Sequence, residues 1–479
     1  MSTLIIENAS IWIDAGERFA ECAVVENGRF SFVGDTADAP TPAGATRLDA
    51  GGRVVLPGLI DSHIHMLGGG MGLSTLCLAD ARSREEFIDR VRAYAATLDP
   101  NDWVIGWGWS TESWAHPEDP CKEWLDDACG ERPACLKRMD FHSAVVNSVA
   151  LELAGISAAG PDDPESGTID RRADGEPTGL LREHAMRLVQ QHMPRPTSAQ
   201  QVEALRRAEA HALEHGITAV ADIPFLKELP AYEMLAEQGP GLRYFVYPIT
   251  QDWATGAERL AAWQGEAGRV RVTGLKTFMD GSLGSRTAYM HEPFLDDAGR
   301  PTDNRGLLSD GIADGALQEK LRAAKEAGLQ PMIHAIGDAA NTLILDAYEE
   351  VYGTSSREAR PRVEHAQHLA LEDLPRFGLL GAIASMQPYH KAGEALYAES
   401  VVGRDRCETT YAFSSLLESG ALLAFGSDWP VVTLNVFAGV HTAVTGRGYD
   451  GEVWQPQQNL TVDQALRAYT SGGAYAVGA

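Results

Sequence analysis

Val54-Val55-Leu56-Pro57-Gly58-Leu59-Ile60-Asp61-Ser62-His63-Ile64-His65 is an apolar run that ends in two histidines spaced two apart. Such a run reads as a buried strand. Side chains two apart on a strand share a face, so His63 and His65 project together from its C-terminal end. Neutral imidazoles fixed in this way can take one divalent ion, zinc among them. Two incidental histidines at a solvated strand end are the competing explanation, since short motifs have many false positives.

Working outward, residues 1–55 hold short strand-like runs: Leu4-Ile5-Ile6, Ile11-Trp12-Ile13, Ala23-Val24-Val25, Phe30-Ser31-Phe32-Val33 and Arg53-Val54-Val55. Asn27-Gly28 between two of them is a hairpin signal. From about residue 200 the pattern becomes helix then strand, repeated. The strand runs begin at Gly216, Tyr244, Val270, Gln330, Arg362, Gly381 and Leu422. With the strand ending near His63 they make eight, which predicts an α/β protein built as a parallel (β/α)8 TIM barrel. Polar residues close strand after strand, at the end where such barrels carry their active sites. Residues 66–195 break the repeat and read as a large insertion after the first barrel strand, covering the barrel mouth. Its Trp103, Trp107, Trp109, Trp114 and Trp124 either line a pocket or pack the insertion's own core. The predicted division is therefore 1–55 as a small N-terminal β-sandwich element, 56–445 as the barrel with its insertion, and 446–479 as a helical segment.

The 479 residues are 44% hydrophobic and 22% charged, ordinary for a globular protein. Acidic residues outnumber basic ones 67 to 40, for a formal charge of −27. That field disfavours nucleic acid and anionic membrane as partners. The N-terminus lacks the pattern of a signal peptide, and no apolar stretch approaches the ~20 residues of a membrane span. Six cysteines without Cys-x-x-Cys spacing suit reduced thiols and a cytoplasmic location. Cys121, Cys129 and Cys135 cluster in sequence but lack zinc-knuckle spacing. His211-Ala212-Leu213-Glu214-His215 matches a zinc-protease pattern. It closes an amphipathic helix, however, where a basic side chain suits the helix dipole.

Four more strand-end residues stand out: Lys276, His334, His365 and Asp428. In this order and in these contexts the chain resembles the amidohydrolase superfamily, specifically its YtcJ-like branch, which includes N-substituted formamide deformylases. The resemblance is carried by Leu56 to His65, Lys276 to Ala288, Phe141 to Ser148, Val363-Glu364-His365-Ala366-Gln367 and Gly426-Ser427-Asp428-Trp429-Pro430. It extends over nearly the whole chain. It implies that His63 and His65 bind one metal ion and that His334 and His365 bind a second. Lys276, carboxylated by carbon dioxide, would bridge two zinc ions; unmodified, it would leave a single-metal site. Asp428 would be the general base and acid for a metal-bridging hydroxide, with a turn-capping aspartate as the alternative. His142, Asp280 and Arg286 are candidate substrate-binding residues, an internal ion pair being the competing role for the last two. Asp338 either orients His334 or serves its own helix N-terminus.

The implied activity is hydrolysis of a C–N bond, an amide or N-formyl group, in a small molecule. Alternatives are hydrolysis of a cyclic amide, carbamate or ester, metal-dependent isomerisation or decarboxylation, and an inactive metal-binding scaffold. Family members finish the N-terminal sandwich with strands that return after the barrel, and none follows the helix ending at Ala479 here, so that either the chain is truncated or the N-terminal sheet is completed otherwise, as by another subunit. The resulting open sheet edge predicts lower stability or a homo-oligomer.

Overall fold

The computed structural model describes residues 3–13, 19–111, 114–116, 118–139, 143–164, 167–261, 263, 269–296, 298–309, 312, 315–353 and 356–479. The chain divides into two compact units, one of residues 1–66 with 209–479, the other of residues 67–208.

In the first unit, residues 3–55 form two small sheets. One is four-stranded, with Thr3–Glu7 between Cys22–Glu26 and Thr46–Asp49, and Arg29–Gly34 outermost. The other joins Ser10–Trp12 to Phe19–Ala20 and Val54–Val55. Asn27 and Gly28 both have positive φ, 51° and 79°. That is the geometry a two-residue hairpin turn demands, and Glu26 pairs with Arg29 across it.

The rest of this unit is an α/β arrangement. Among the described residues, parallel strands run in chain order as Leu59–Ile64, Ile217–Asp222, Arg243–Val246, a segment in two pieces (Val270–Val272 and Gly274–Phe278), Gln330–Ala335, Arg362–His365, Ile383–Met386 and Leu422–Phe425. We number them first to eighth. The first piece of the fourth strand pairs with the third strand and the second piece with the fifth. Beyond the eighth strand, Asp428 donates its N–H to the His63 carbonyl at 2.7 Å, and His65 donates to the Trp429 carbonyl at 2.9 Å. Gly426 makes this approach feasible, since a Cβ there would lie 2.4 Å from the His63 nitrogen. Strands of this set are buried on both faces, which is why they read as near-continuous apolar runs.

The second unit is built on a six-stranded sheet in the order Gly167–Arg171, Pro177–Glu183, Ser143–Val146, Ala134–Arg138, Val104–Trp109, Leu76–Cys77. Trp109, Trp114 and Trp124 belong to its core. Trp114 and Trp124 stack at 6.3 Å, with Phe87 edge-on to both. The indole N–H groups of Trp109 and Trp114 are spent on the Leu136 and Ala81 carbonyls, each at 2.8 Å. For these three tryptophans, packing of the unit's own core is the role seen. Cys129 and Cys135 are buried there, and burial pushes their thiols up to about 12 and about 11.

Candidate metal centre at the strand ends

Each candidate ligand is placed by its strand. His63 lies in the first strand and His65 directly follows it, Lys276 lies in the fourth, His334 in the fifth and His365 closes the sixth. Asp428 follows the eighth strand by three residues. His365, Ala366 and Asp428 all have positive φ (73°, 43° and 59°). Non-glycine residues pay for that conformation, and such strain concentrates where a site dictates side-chain direction.

The side chains converge. His63 Nε2 and His65 Nε2 lie 3.4 and 3.2 Å from Asp428 Oδ1. The His365 ring sits 5.0 Å from that of His63 and 4.5 Å from that of His334. Ligand atoms of His63, His365 and Asp428 fall within 4.8 Å of one another, the one group of this kind among the described residues.

A set of partners fixes which nitrogen faces inward. His63 Nδ1 is 2.5 Å from Glu364 Oε2, so the ring turns Nε2 toward Asp428. His65 Nδ1 faces the Ile223 carbonyl at 3.1 Å. His334 Nε2 faces the Gly281 carbonyl at 3.0 Å, which leaves Nδ1. Orientation of metal-binding imidazoles through the second ring nitrogen has this form.

Glu364 is the hub. Arg362 reaches its Oε1 at 2.8 Å and Ser385 donates to its Oε2 at 2.7 Å, all fully buried. Burial alone would raise this carboxyl, but Arg362 and His63 beside it hold it down at about 2. Arg362 also donates to the Ser62 carbonyl. Asp61 clamps the other side, accepting from the His63 N–H, the Ser427 N–H and the Ser427 hydroxyl at 3.1, 3.0 and 2.6 Å. Glu364 and Asp61 were not foreseen as functional. Strand alternation was the available signal, since it puts Arg362 and Glu364 on one face.

The chemistry of the donor set suits a divalent metal. Lys276 Nζ and His365 Nδ1 are buried and have no hydrogen-bond partner. Burial lowers Lys276 to about 8, against the opposing pull of Glu364 and Asp428. It also lowers His334, beside Lys276, to about 3, and takes His365, beside His334, well below its ordinary value. Burial opposes ionisation of Asp428, but His63 and His65 outweigh it and hold the carboxylate well below its usual range. Neutral His334 and His365, an ionised carboxylate and an unpartnered lysine nitrogen are metal-ready donors; burial disfavours the His63 cation, but Asp428 and Glu364 outweigh it and raise His63.

The remaining sequence candidates are placed as follows where they are described. Asp280 is buried and its carboxylate is engaged by main-chain N–H groups: Ile336 on Oδ1 at 3.0 Å, Gly337 and Tyr289 on Oδ2 at 2.8 and 2.9 Å. It ties the loop after the fourth strand to the loop after the fifth, 3.4 Å from His334 Nε2. Arg286 is half-buried on the same loop, at positive φ, with its carbonyl accepting from Asn304. Asp338 accepts from the N–H groups of His291 and Ala339 at the start of its helix. His142 lies outside the described residues. His211 packs its ring 5.6 Å from Trp429 and 4.8 Å from His215, whose Nδ1 faces the His211 carbonyl.

The model of the amidohydrolase family matches residues 47–479. The chain belongs to that family. Among relatives, Protein LONG AFTER FAR-RED 3 of Arabidopsis thaliana is 35% identical over 99% of this chain and 84% of its own. The putative amidohydrolase YtcJ of Bacillus subtilis is 31% identical over 96% of this chain and 87% of its own. An N-substituted formamide deformylase of Arthrobacter pascens is 27% identical over 100% of this chain and 90% of its own. This protein is thus a YtcJ-like amidohydrolase-family member. Among solved structures, an uncharacterized metal-dependent hydrolase from Pyrococcus furiosus superposes with a TM-score of 0.81 at 27% identity, over 99% of this chain and 94% of that one.

Proposed function

We propose that this protein is a metal-dependent hydrolase that cleaves a C–N bond, an amide or N-formyl group, of a small molecule. The observation that carries the reading is the convergence of His63, His65, His365 and Asp428 beside the buried, unpartnered Lys276 nitrogen. The named activities of the formamide deformylase and the Pyrococcus hydrolase support it. His63 and His65 would hold one ion, His334 and His365 a second, with Lys276 between them as its carbamate. Zinc suits these ligands. A bound divalent ion supplies charge stabilisation at the carbonyl and lowers the pKa of water toward ~7.

The chain's own groups do the rest. Glu364 keeps the proton of His63 on Nδ1, and the Ile223 carbonyl does the same for His65. Asp428, held ionised, takes the proton of the attacking water and returns it to the departing nitrogen. Its backbone is fixed by the His63 carbonyl and its neighbour Ser427 by Asp61, so it has little freedom to swing away. Arg286 and His142 are the proposed substrate contacts, whereas Asp280 serves as the clasp between two site loops. The same reading takes the eight strands as a closed (β/α)8 barrel with its chemistry at the C-terminal ends, supported by the hydrogen bonds that join the first strand to the chain beyond the eighth.

Elemental analysis of the purified protein and of Lys276→Ala tests this. Two metals per chain, falling to one or none in the variant, are expected. One metal in both points to a mononuclear site, and none in either refutes the hydrolase.

A further inference from the structure

Phe278 touches the metal centre without serving as a ligand or moving a proton. It closes the second piece of the fourth strand, Gly274–Phe278, in which the first four residues are buried and Phe278 is half-buried. Side chains two apart on a strand share a face, so Phe278 follows Lys276 onto the side where the ligands converge. Lys276 Nζ lies over the ring, 4.4 Å from its centre. The ring of His334, the cross-strand partner of Phe278, is 5.3 Å away. Nearer the C-terminal end of the strand than Lys276, Phe278 stands on the outer side of the centre, where a substrate enters. From His334 the contacts run in series: to the His365 ring at 4.5 Å, from His365 to the His63 ring at 5.0 Å, and from His63 Nε2 to Asp428 Oδ1 at 3.4 Å. The five-stranded sheet that joins the fourth strand to the eighth puts these two at its opposite edges. Phe278 and Asp428 therefore flank the ligands from opposite sides.

Resting on the hydrolase reading above, we infer that Phe278 is the wall against which the acyl group of the substrate packs, and that its ring sets the size of acyl group accepted. The three substituents of an amide carbon point in different directions within one plane. The oxygen goes to the metal site and the nitrogen to Asp428, which returns the proton to it. The acyl substituent is then directed away from Asp428, to the side that Phe278 closes. A phenyl ring offers this substituent apolar contact and no hydrogen bond. Its backbone is tied down, because the Met279 N–H donates to the His334 carbonyl at 2.9 Å and Thr277 and Met279 on either side are buried. The ring thus has little room to withdraw before a longer acyl chain, and packed sites yield poorly to added methylenes. The amine substituent leaves past Asp428 and does not meet Phe278.

The test uses two substrate series on metal-loaded wild type, Phe278→Ala and Phe278→Leu, following amine release. In one the acyl group grows: N-butylformamide, N-butylacetamide, N-butylbutanamide. In the other the amine grows: N-methylformamide, N-butylformamide, N-octylformamide. Ratios of kcat/KM are taken within each protein, so partial misfolding cancels. Calorimetric binding of acetohydroxamate and butyrohydroxamate, which carry the acyl groups on a metal-chelating head, gives the acyl comparison without turnover. In wild type kcat/KM should fall as the acyl group lengthens. Phe278→Ala should raise the butanamide-to-formamide ratio at least tenfold and tighten butyrohydroxamate relative to acetohydroxamate. Phe278→Leu, which keeps more of the packing, should move both in the same direction by less, and it carries the comparison if Phe278→Ala fails to fold. The amine-series profile and the metal content should stay as in wild type. An acyl profile that is flat in wild type or unmoved in both variants, or a shift in the amine series instead, overturns the inference while leaving the hydrolase intact. Metal-free protein, or metal-loaded wild type that cleaves no amide of either series, overturns both.

Discussion

Glu364→Gln is the most demanding test of how the metal centre is held. The substitution keeps shape and removes one charge from a fully buried cluster of Arg362, Ser385 and His63. Arg362 would then be a buried cation without a counter-charge. Breaking such a pair costs roughly 3–5 kcal/mol. Linkage gives a similar figure: a carboxyl lowered from 4.5 to about 2 corresponds to about 3 kcal/mol at neutral pH. The sign follows from the lowered value. This stabilisation is present above the unfolded-state pKa and disappears as pH falls through the folded one, between about 4.5 and 2. The charge also fixes His63, so metal affinity should weaken about 10- to 100-fold. Urea denaturation of the metal-stripped protein at pH 7 and pH 3 measures the first effect, and metal competition with a chelator the second. The gap between wild type and variant should shrink markedly from pH 7 to pH 3. Adding Arg362→Met to Glu364→Gln should recover much of the loss, since the orphaned cation goes with it. A loss below ~1 kcal/mol with unchanged metal affinity would refute the hub role of Glu364.

Asp428→Asn should lower turnover of any accepted substrate by about 10²- to 10⁴-fold with metal content near that of wild type, measured by kinetics and elemental analysis on one sample. Asp61→Asn weakens the clamp on Ser427, and should cut kcat more than it raises KM. Tyr232→Phe removes the 2.5 Å hydrogen bond to Asp222 and should cost about 1–2 kcal/mol in urea denaturation without touching metal content. Phe30 and Val33 are exposed beside an apolar groove of about 580 Å³ that Ile11, Trp12 and Ala474 also line. They predict self-association, which Phe30→Ser should reduce in size-exclusion with light scattering; a dispersed wild-type monomer contradicts that.

The sequence by itself determined the order of elements and the polar residues at the strand ends. Burial on both faces leaves the parallel strands as apolar runs, so each break in apolarity at His63, Lys276, His334, His365 and Asp428 is visible in one dimension. Asn27-Gly28 likewise dictated its hairpin, because few other pairs tolerate two positive φ angles. What only the tertiary structure decided is how those ends are held and which neighbours join them. Glu364 looked like an ordinary strand residue until His63, 301 positions away in the chain, came within 2.5 Å. For Asp280, which the sequence leaves between a substrate contact and an internal ion pair, folding adds three main-chain N–H donors from two loops. The tryptophans of residues 103–124 were ambiguous because aromatic side chains serve cores and pockets equally well, and their burial and hydrogen bonds assigned three of them to the core.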